Sequence, residues 1–195
     1  MLEGAAYATR FFRDDADVHH TLTRLVRNLD EAGILYALAG AMALNAYGYR
    51  RVTVDVNVIL TKEGLDAFKA RFLGRGYVEK FPGSKGLRDA DTGVAIDILI
   101  AGQYPGDGLV KPVAFPDPAT VAERQEGVAW LPLAKLVELK LASGMTAPHR
   151  LKDLADVIEL VRAANLSADF STQLDPFVRD KYRELWHAAQ VRDPG

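Results

Sequence analysis

The stretch LAGAMALNAYGYRRVTVDVNVIL, from Leu38 to Leu60, decides the fold. In its last part, Val52, Val54, Val56 and Val58 alternate with Thr53, Asp55 and Asn57. Successive side chains of a strand point to opposite faces. The alternation therefore predicts a strand with a valine face packed inward and a second face shared by Thr53, Asp55 and Asn57. Upstream, ILYALAG reads as a short buried strand ending at Gly40, and AMALNAYGY as a short helix of small residues closing at Gly48. Strand interiors disfavour Asp, and an unpaired buried carboxylate is costly. A carboxylate between valines is thus the feature to be explained.

Further along the chain, VAIDILI repeats the pattern. Val94, Ile96, Ile98 and Ile100 share one face, and Ala95, Asp97 and Leu99 the other. On a strand, side chains at i and i+2 stand about 7 Å apart at the base. If the two strands are neighbours, Asp55, Asn57 and Asp97 meet. Such oxygen donors suit Mg²⁺, which prefers oxygen ligands and substrate phosphates. Two such ions can organise an in-line displacement at phosphorus. The other reading is an antiparallel sheet with its acid-bearing face simply turned to water.

The remaining segments fit around these strands. Val18, Leu22, Leu25, Val26 and Leu29 recur at helical spacing and predict a helix from about Asp14 to Ala32, stopped by Gly33. KEGLDAFKARFLGRG is an amphipathic helix, and YVEKF starts a strand. PGSKGLRDADTG is a polar connection and Gly102 to Pro118 an extended loop rich in Gly and Pro. A strand near VAWLP precedes three helical segments: LAKLVELKLASG, LKDLADVIELVRAANL, and a last one from about Asp175 to Gln190. The expected class is α/β: a small mixed sheet flanked by helices over residues 1–131, then an α-helical C-terminal part over 132–195. The two parts join near Pro132 and can form one compact domain.

Composition narrows the function. The 195 residues contain no cysteine, which excludes disulfides, thiolate metal sites and a cysteine nucleophile. Lys plus Arg total 24 against 26 Asp plus Glu, a net charge of -2. A protein built chiefly to grip phosphate backbones is usually more basic. The first residues turn polar and acidic where a secretory leader would be apolar. The longest apolar region falls short of the roughly 20 residues that cross a bilayer. A cytoplasmic protein that does not engage membranes is expected. Ser84 and Ser143 have glycine neighbours but lie in no GxSxG elbow. PGSKGLRD is glycine-rich and basic but lacks the Walker A order. It reads either as a turn with exposed Lys85 and Arg88 or as a flap over a triphosphate.

Taken together, the stretch from Leu38 to Leu60 resembles the signature of the DNA-polymerase-β-like nucleotidyltransferase superfamily. In that signature a strand ends in Gly-Gly or Gly-Ser, a short helix follows, and the next strand bears Asp-x-Asp or Asp-x-Glu. A third Asp lies on a later strand. Gly40 and Ala41 take the glycine place, Asp55 and Asn57 the paired-carboxylate place, and Asp97 the third. AYGYRRVTVDV is similar to the Gly-x-x-Arg-x-Thr-x-Asp run of the branch of AbiEii/AbiGii-type toxins of toxin–antitoxin and phage-defence systems. LVELKLASGMTAPHRLKDLADVIELV resembles that branch's helical segment, with a Lys and then a basic residue before Asp-x-x-Asp.

The resemblance implies a nucleotidyltransferase-like fold and Mg²⁺- or Mn²⁺-dependent transfer of a nucleotide from a nucleoside triphosphate to an acceptor. That acceptor would be a transfer RNA or other RNA, a protein or a small molecule, and a cognate antitoxin would be a partner. Asp55, Asn57 and Asp97 would be the metal ligands. Asp55 and Asn57 would hold the triphosphate, Asp97 would position the acceptor, and Lys140 would meet phosphate. Asp153 would support catalysis and Asp156 would buttress the helices. Gly40 and Ala41 would let backbone N–H groups approach phosphate, with Arg50 and Arg51 as further contacts. Two departures stand out: Ala41 lacks a serine hydroxyl, and Asn57 carries no charge. A degenerate relative that binds nucleotide, RNA or protein without turnover is the alternative.

Overall fold

Val56, Val58, Ile96 and Ile98 are almost wholly excluded from solvent, and they place the two acid-bearing strands at the centre of the protein. The computed structural model describes the backbone of residues 2–191 and the side chains of residues 16–191. In chain order the elements are helix α1 (Leu2–Glu31), strand β1 (Ala37–Ala39), helix α2 (Gly40–Ala46), β2 (Asp55–Leu60) and α3 (Lys62–Phe72). Strands β3 (Tyr77–Glu79), β4 (Leu87–Asp89) and β5 (Ala95–Ile100) follow, then a single turn, α4 (Pro118–Val121). The hairpin β6 (Glu123–Gln125) and β7 (Val128–Trp130) leads into α5 (Leu133–Thr146), α6 (Leu151–Ala163) and α7 (Pro176–Gln190). The strands form one mixed sheet in the order β3-β4-β5-β2-β1-β7-β6. The expected class is what the structure has: α/β, a mixed sheet flanked by helices, and a helical C-terminal part.

The period-2 alternation sorts the two faces of the sheet. Val56, Val58, Leu60, Ile96, Ile98 and Ile100 pack with Val18, Leu22, Leu25 and Leu29 of α1 and Leu65 and Phe68 of α3. Burying each such side chain stabilises by about 1.5–3 kcal/mol. The opposite face carries Ile59, which joins the core of α5, α6 and α7 through Val137, Leu141, Val157, Leu160 and Tyr182. One end of that face is thus packed on helices, and the other holds the polar residues.

Three local expectations need correction. The strand expected from Val52 begins at Asp55, and Val52 and Val54 are 55% and 69% exposed. The register explains this. The pairing with β5 starts at Asp55 opposite Ala95, and β1 reaches only to Asn57. Among the described residues no strand neighbours 52–54, so alternation alone does not make them one. The polar connection after Phe81 contains β4, and β6 precedes the strand expected near VAWLP. Each is three residues long, too short to show a period. The first helix starts before Asp14, at Leu2.

Candidate active site

Strand β2 runs parallel to β5, with Asn57 directly opposite Asp97 and Asp55 opposite Ala95. Side chains of paired residues lie on the same face of a sheet. Asp55, Asn57 and Asp97 therefore share one face, and all three line a cleft of about 490 Å³. Gly40, Ala41 and Thr53 complete its sheet wall. Lys140, Ser143 and Asp153 of α5 and α6 face them, with His149 and Arg150 at the turn between those helices and Lys152 at the start of α6. The loop after β5 supplies Tyr104, Pro105 and Phe115. It is closed at its neck by Gly102 N–H to Phe115 O and Phe115 N–H to Gln103 O, both 2.8 Å.

Each acid is held differently. The Thr53 hydroxyl donates to Asp55 Oδ1 at 2.6 Å, and Oδ2 has no protein partner among the described residues. Asp97 Oδ1 accepts from the ammonium of Lys80. The Asn57 amide makes no hydrogen bond among the described residues, but it packs on Gly40. That glycine has φ +63°, and a Cβ there would stand 2.8 Å from Asn57 Cγ and Nδ2. Gly40 thus answers two demands, a left-handed backbone and room for Asn57. Gly40→Ala is expected to cost about 1–3 kcal/mol of stability from the backbone alone. Denaturant unfolding measures it, and an unchanged midpoint would show that the left-handed backbone at this position carries no cost.

A chain of buried charges ties the sheet to the C-terminal helices. The Asn45 side chain bonds both backbone groups of Arg51, at 2.6 and 3.0 Å, and so fixes the approach to β2. Arg51 Nη1 donates to Asp156 Oδ2 at 2.5 Å. Lys140, only 7% exposed, donates to Asp156 at 2.7 Å and to Asp153 at 3.0 Å. Asp153 also accepts from the Ser143 hydroxyl at 2.7 Å and from Arg150 Nε at 3.0 Å. Burial pushes the Asp153 carboxyl up, but Lys140, the Ser143 hydroxyl and Arg150 outweigh it and hold it below the usual carboxylate range.

The structure thus brings Asp55, Asn57, Asp97, Lys140, Asp153, Gly40, Ala41 and Arg51 to one cleft. Arg50 is an exception: it is exposed and not part of the cleft lining, because it precedes the residue that Asn45 pins. Lys140 departs from its expected part in another way. Its ammonium is already balanced by two carboxylates, whereas Lys152 makes no ion pair among the described residues and Lys85 donates only to Gln103 at 3.0 Å. Sequence reasoning passed over Lys80 and the helix-side role of Ser143. The carboxylate at Asp153, three residues after Arg150 and one turn before Val157, was the signal that could have pointed to Ser143.

Among the described residues no three His, Cys, Asp or Glu side chains gather as a metal site. The third oxygen donor here is the Asn57 amide. Mg²⁺ is bound by one or two carboxylates completed by substrate phosphate and water. Asp55, with a free Oδ2, and Asn57 fit one hard cation on those terms.

No protein-family model matches the chain, and no curated protein matches it in sequence. Solved structures do match its fold. The crystal structure of ANT(2'')-Ia in complex with adenylyl-2''-tobramycin aligns with a TM-score of 0.51 at 14% identity, over 88% of this chain and 98% of that one. The solution structure of the antibiotic-resistance factor ANT(2'')-Ia gives 0.50 at 14% identity, over 89% and 93%. The likeness at this identity is one of fold.

Proposed function

We propose that the protein transfers a nucleotidyl group from a nucleoside triphosphate to an acceptor hydroxyl. The observation that carries this reading is the register of β2 on β5, which aims Asp55, Asn57 and Asp97 into a single cleft walled by cationic side chains. The acceptor oxygen attacks the α-phosphorus. The new O–P bond forms as the bond to the bridging oxygen of pyrophosphate breaks, pyrophosphate leaves, and the hydroxyl proton passes to Asp97. Asp55 and Asn57 hold the cation that accompanies the triphosphate; when bound, that Mg²⁺ or Mn²⁺ neutralises phosphate charge. Lys85 and Lys152 stand ready for phosphate oxygens, and Lys140 acts by holding Asp153 and Asp156 in place.

The acceptor follows from the rim. One structural neighbour holds an adenylylated tobramycin. Here Arg51, Lys85, Arg150 and Lys152 ring the cleft and favour an acceptor without net positive charge, such as an RNA end or a protein hydroxyl. The motif run from Ala46 to Val56 supports the finer reading of an AbiEii/AbiGii-type toxin with a cognate antitoxin. Incubation with labelled nucleoside triphosphates, Mn²⁺ and cellular RNA or lysate tests the reading. Transfer of label from the α-phosphate is expected, and nucleotide binding without transfer in any mixture would overturn it.

Asn57 favours the second reading, a nucleotide-binding module without turnover. A neutral amide in place of a carboxylate next to a dication removes an attraction worth several kcal/mol where solvent is partly excluded. Asn57→Asp is therefore expected to tighten Mn²⁺ binding by about 10-fold or more, equivalent to about 1.4 kcal/mol. Isothermal titration with nucleotide present reads this directly. A silent wild type that gains transfer activity with Asn57→Asp would establish the module reading.

A further inference from the structure

Lys80 follows β3 directly, and its N–H bonds Gly86 O at 3.1 Å, which extends the β3–β4 hairpin. Val78 pairs with Arg88, and Arg88 with Ala95. Side chains two apart on a strand share a face, so Lys80 rises on the face that carries Asp97. Its ammonium donates to Asp97 Oδ1. The stem passes over Gly86, where a Cβ would lie 3.0 Å from Lys80 Cδ and 3.3 Å from Cε. Gly86 has no left-handed backbone to explain it; the room it leaves is filled by this lysine. The hairpin is braced from behind. The Lys69 ammonium bonds Glu79 Oε1 and Ser84 O, each at 2.6 Å, and Gly83 N–H donates to Glu79 Oε2 at 2.8 Å. Lys80 is thus delivered to Asp97 by a fixed scaffold.

We propose that Lys80 is a built-in cation standing where a second metal ion would otherwise sit, so that the site takes a single divalent ion, on Asp55, together with the nucleotide. This rests on the nucleotidyl-transfer reading. Two features of the cleft carry it. The residue opposite Asp97 is the neutral Asn57, so the strands bring two carboxylates to the cleft and not three, and Asp153 across from them is already bonded to Lys140, Ser143 and Arg150. One of those two is already neutralised by an ammonium. A dication on Asp97 would have to displace Lys80 or sit beside its charge. Lys80 is a positioning residue in this scheme: its ammonium on Oδ1 holds Asp97 aimed at the acceptor hydroxyl.

The test counts ions. Two Mn²⁺ ions bridged in one site stand about 3.5–4 Å apart and give a spin-coupled electron paramagnetic resonance spectrum, whereas a lone ion does not. Wild type, Lys80→Met, Lys80→Gln and Lys80→Arg are loaded with Mn²⁺ and each of the four α,β-methylene nucleoside triphosphates in turn. Wild type and Lys80→Arg are expected to show an isolated bound ion, and the two uncharged variants a coupled pair. A coupled pair in the wild type overturns the proposal and leaves nucleotidyl transfer standing. So does a single ion in whichever uncharged variant folds. No protein-bound Mn²⁺ with any of the four analogues, in wild type or variants, overturns the transfer reading and this inference with it.

Discussion

Asp55→Ala is expected to abolish nucleotidyl transfer, with a loss of about 10³-fold or more, equivalent to about 4 kcal/mol of transition-state stabilisation. Asp55 opens β2 and is only partly buried, and among the described residues its sole side-chain partner is the Thr53 hydroxyl. Truncating it leaves the core valines untouched, so the fold should survive. The measurement is the rate of label transfer from an α-labelled triphosphate, with the melting temperature as the control. Retention of activity within about tenfold of wild type, in a folded variant, would move the chemistry away from this strand.

Lys140→Met should produce the largest loss of stability, about 3–5 kcal/mol, because it leaves buried carboxylates without their cation. The damage is shared unequally. Asp156 keeps Arg51 at 2.5 Å, while Asp153 keeps Ser143 and the exposed Arg150. The loss should depend on pH with a definite sign. In the wild type the folded Asp153 carboxyl is depressed. Its contribution is present above the unfolded value of about 4 and disappears as pH falls through the lower folded value. Without Lys140, burial is opposed only by the Ser143 hydroxyl and Arg150, so the same carboxyl is less depressed. The gap between wild type and variant should therefore be widest near neutrality and narrow on acidification. Urea unfolding at several pH values checks both statements. A gap that stays constant through the carboxylate range would show that Asp153 does not sense Lys140.

Much of this site could be read from the chain itself, and the reason is geometric. A period of two assigns Asp55, Asn57 and Asp97 to strand faces without reference to anything else, and the buried isoleucines of β5 and the valines at 56 and 58 confirm the faces. Pairing is another matter. Nothing local says that β5 sits beside β2, or that Val52 and Val54 run past the ends of their neighbours. Lys80 was invisible for the same reason. It reaches Asp97 across β4, a three-residue strand inside a segment that reads as a polar connection. The part taken by Lys140 was half legible. Its place in a helix matching a known pattern was clear, but its two carboxylate partners lie 13 and 16 residues away, on the next helix. Such contacts depend on how α5 meets α6, which periodicity does not encode.

The margins of the sheet have a consequence for solubility. A long, flat, unpaired strand is a template on which other chains can stack. Here both outermost strands, β3 and β6, span only three residues, and β6 is Glu123-Arg124-Gln125 with every side chain in water. An incoming chain would find a foothold of one or two hydrogen bonds next to two opposite charges. The central strands β5 and β2, rich in valine and isoleucine and prone to fibril formation on their own, lie two and three strands in from the nearer edge, behind these short, charged borders.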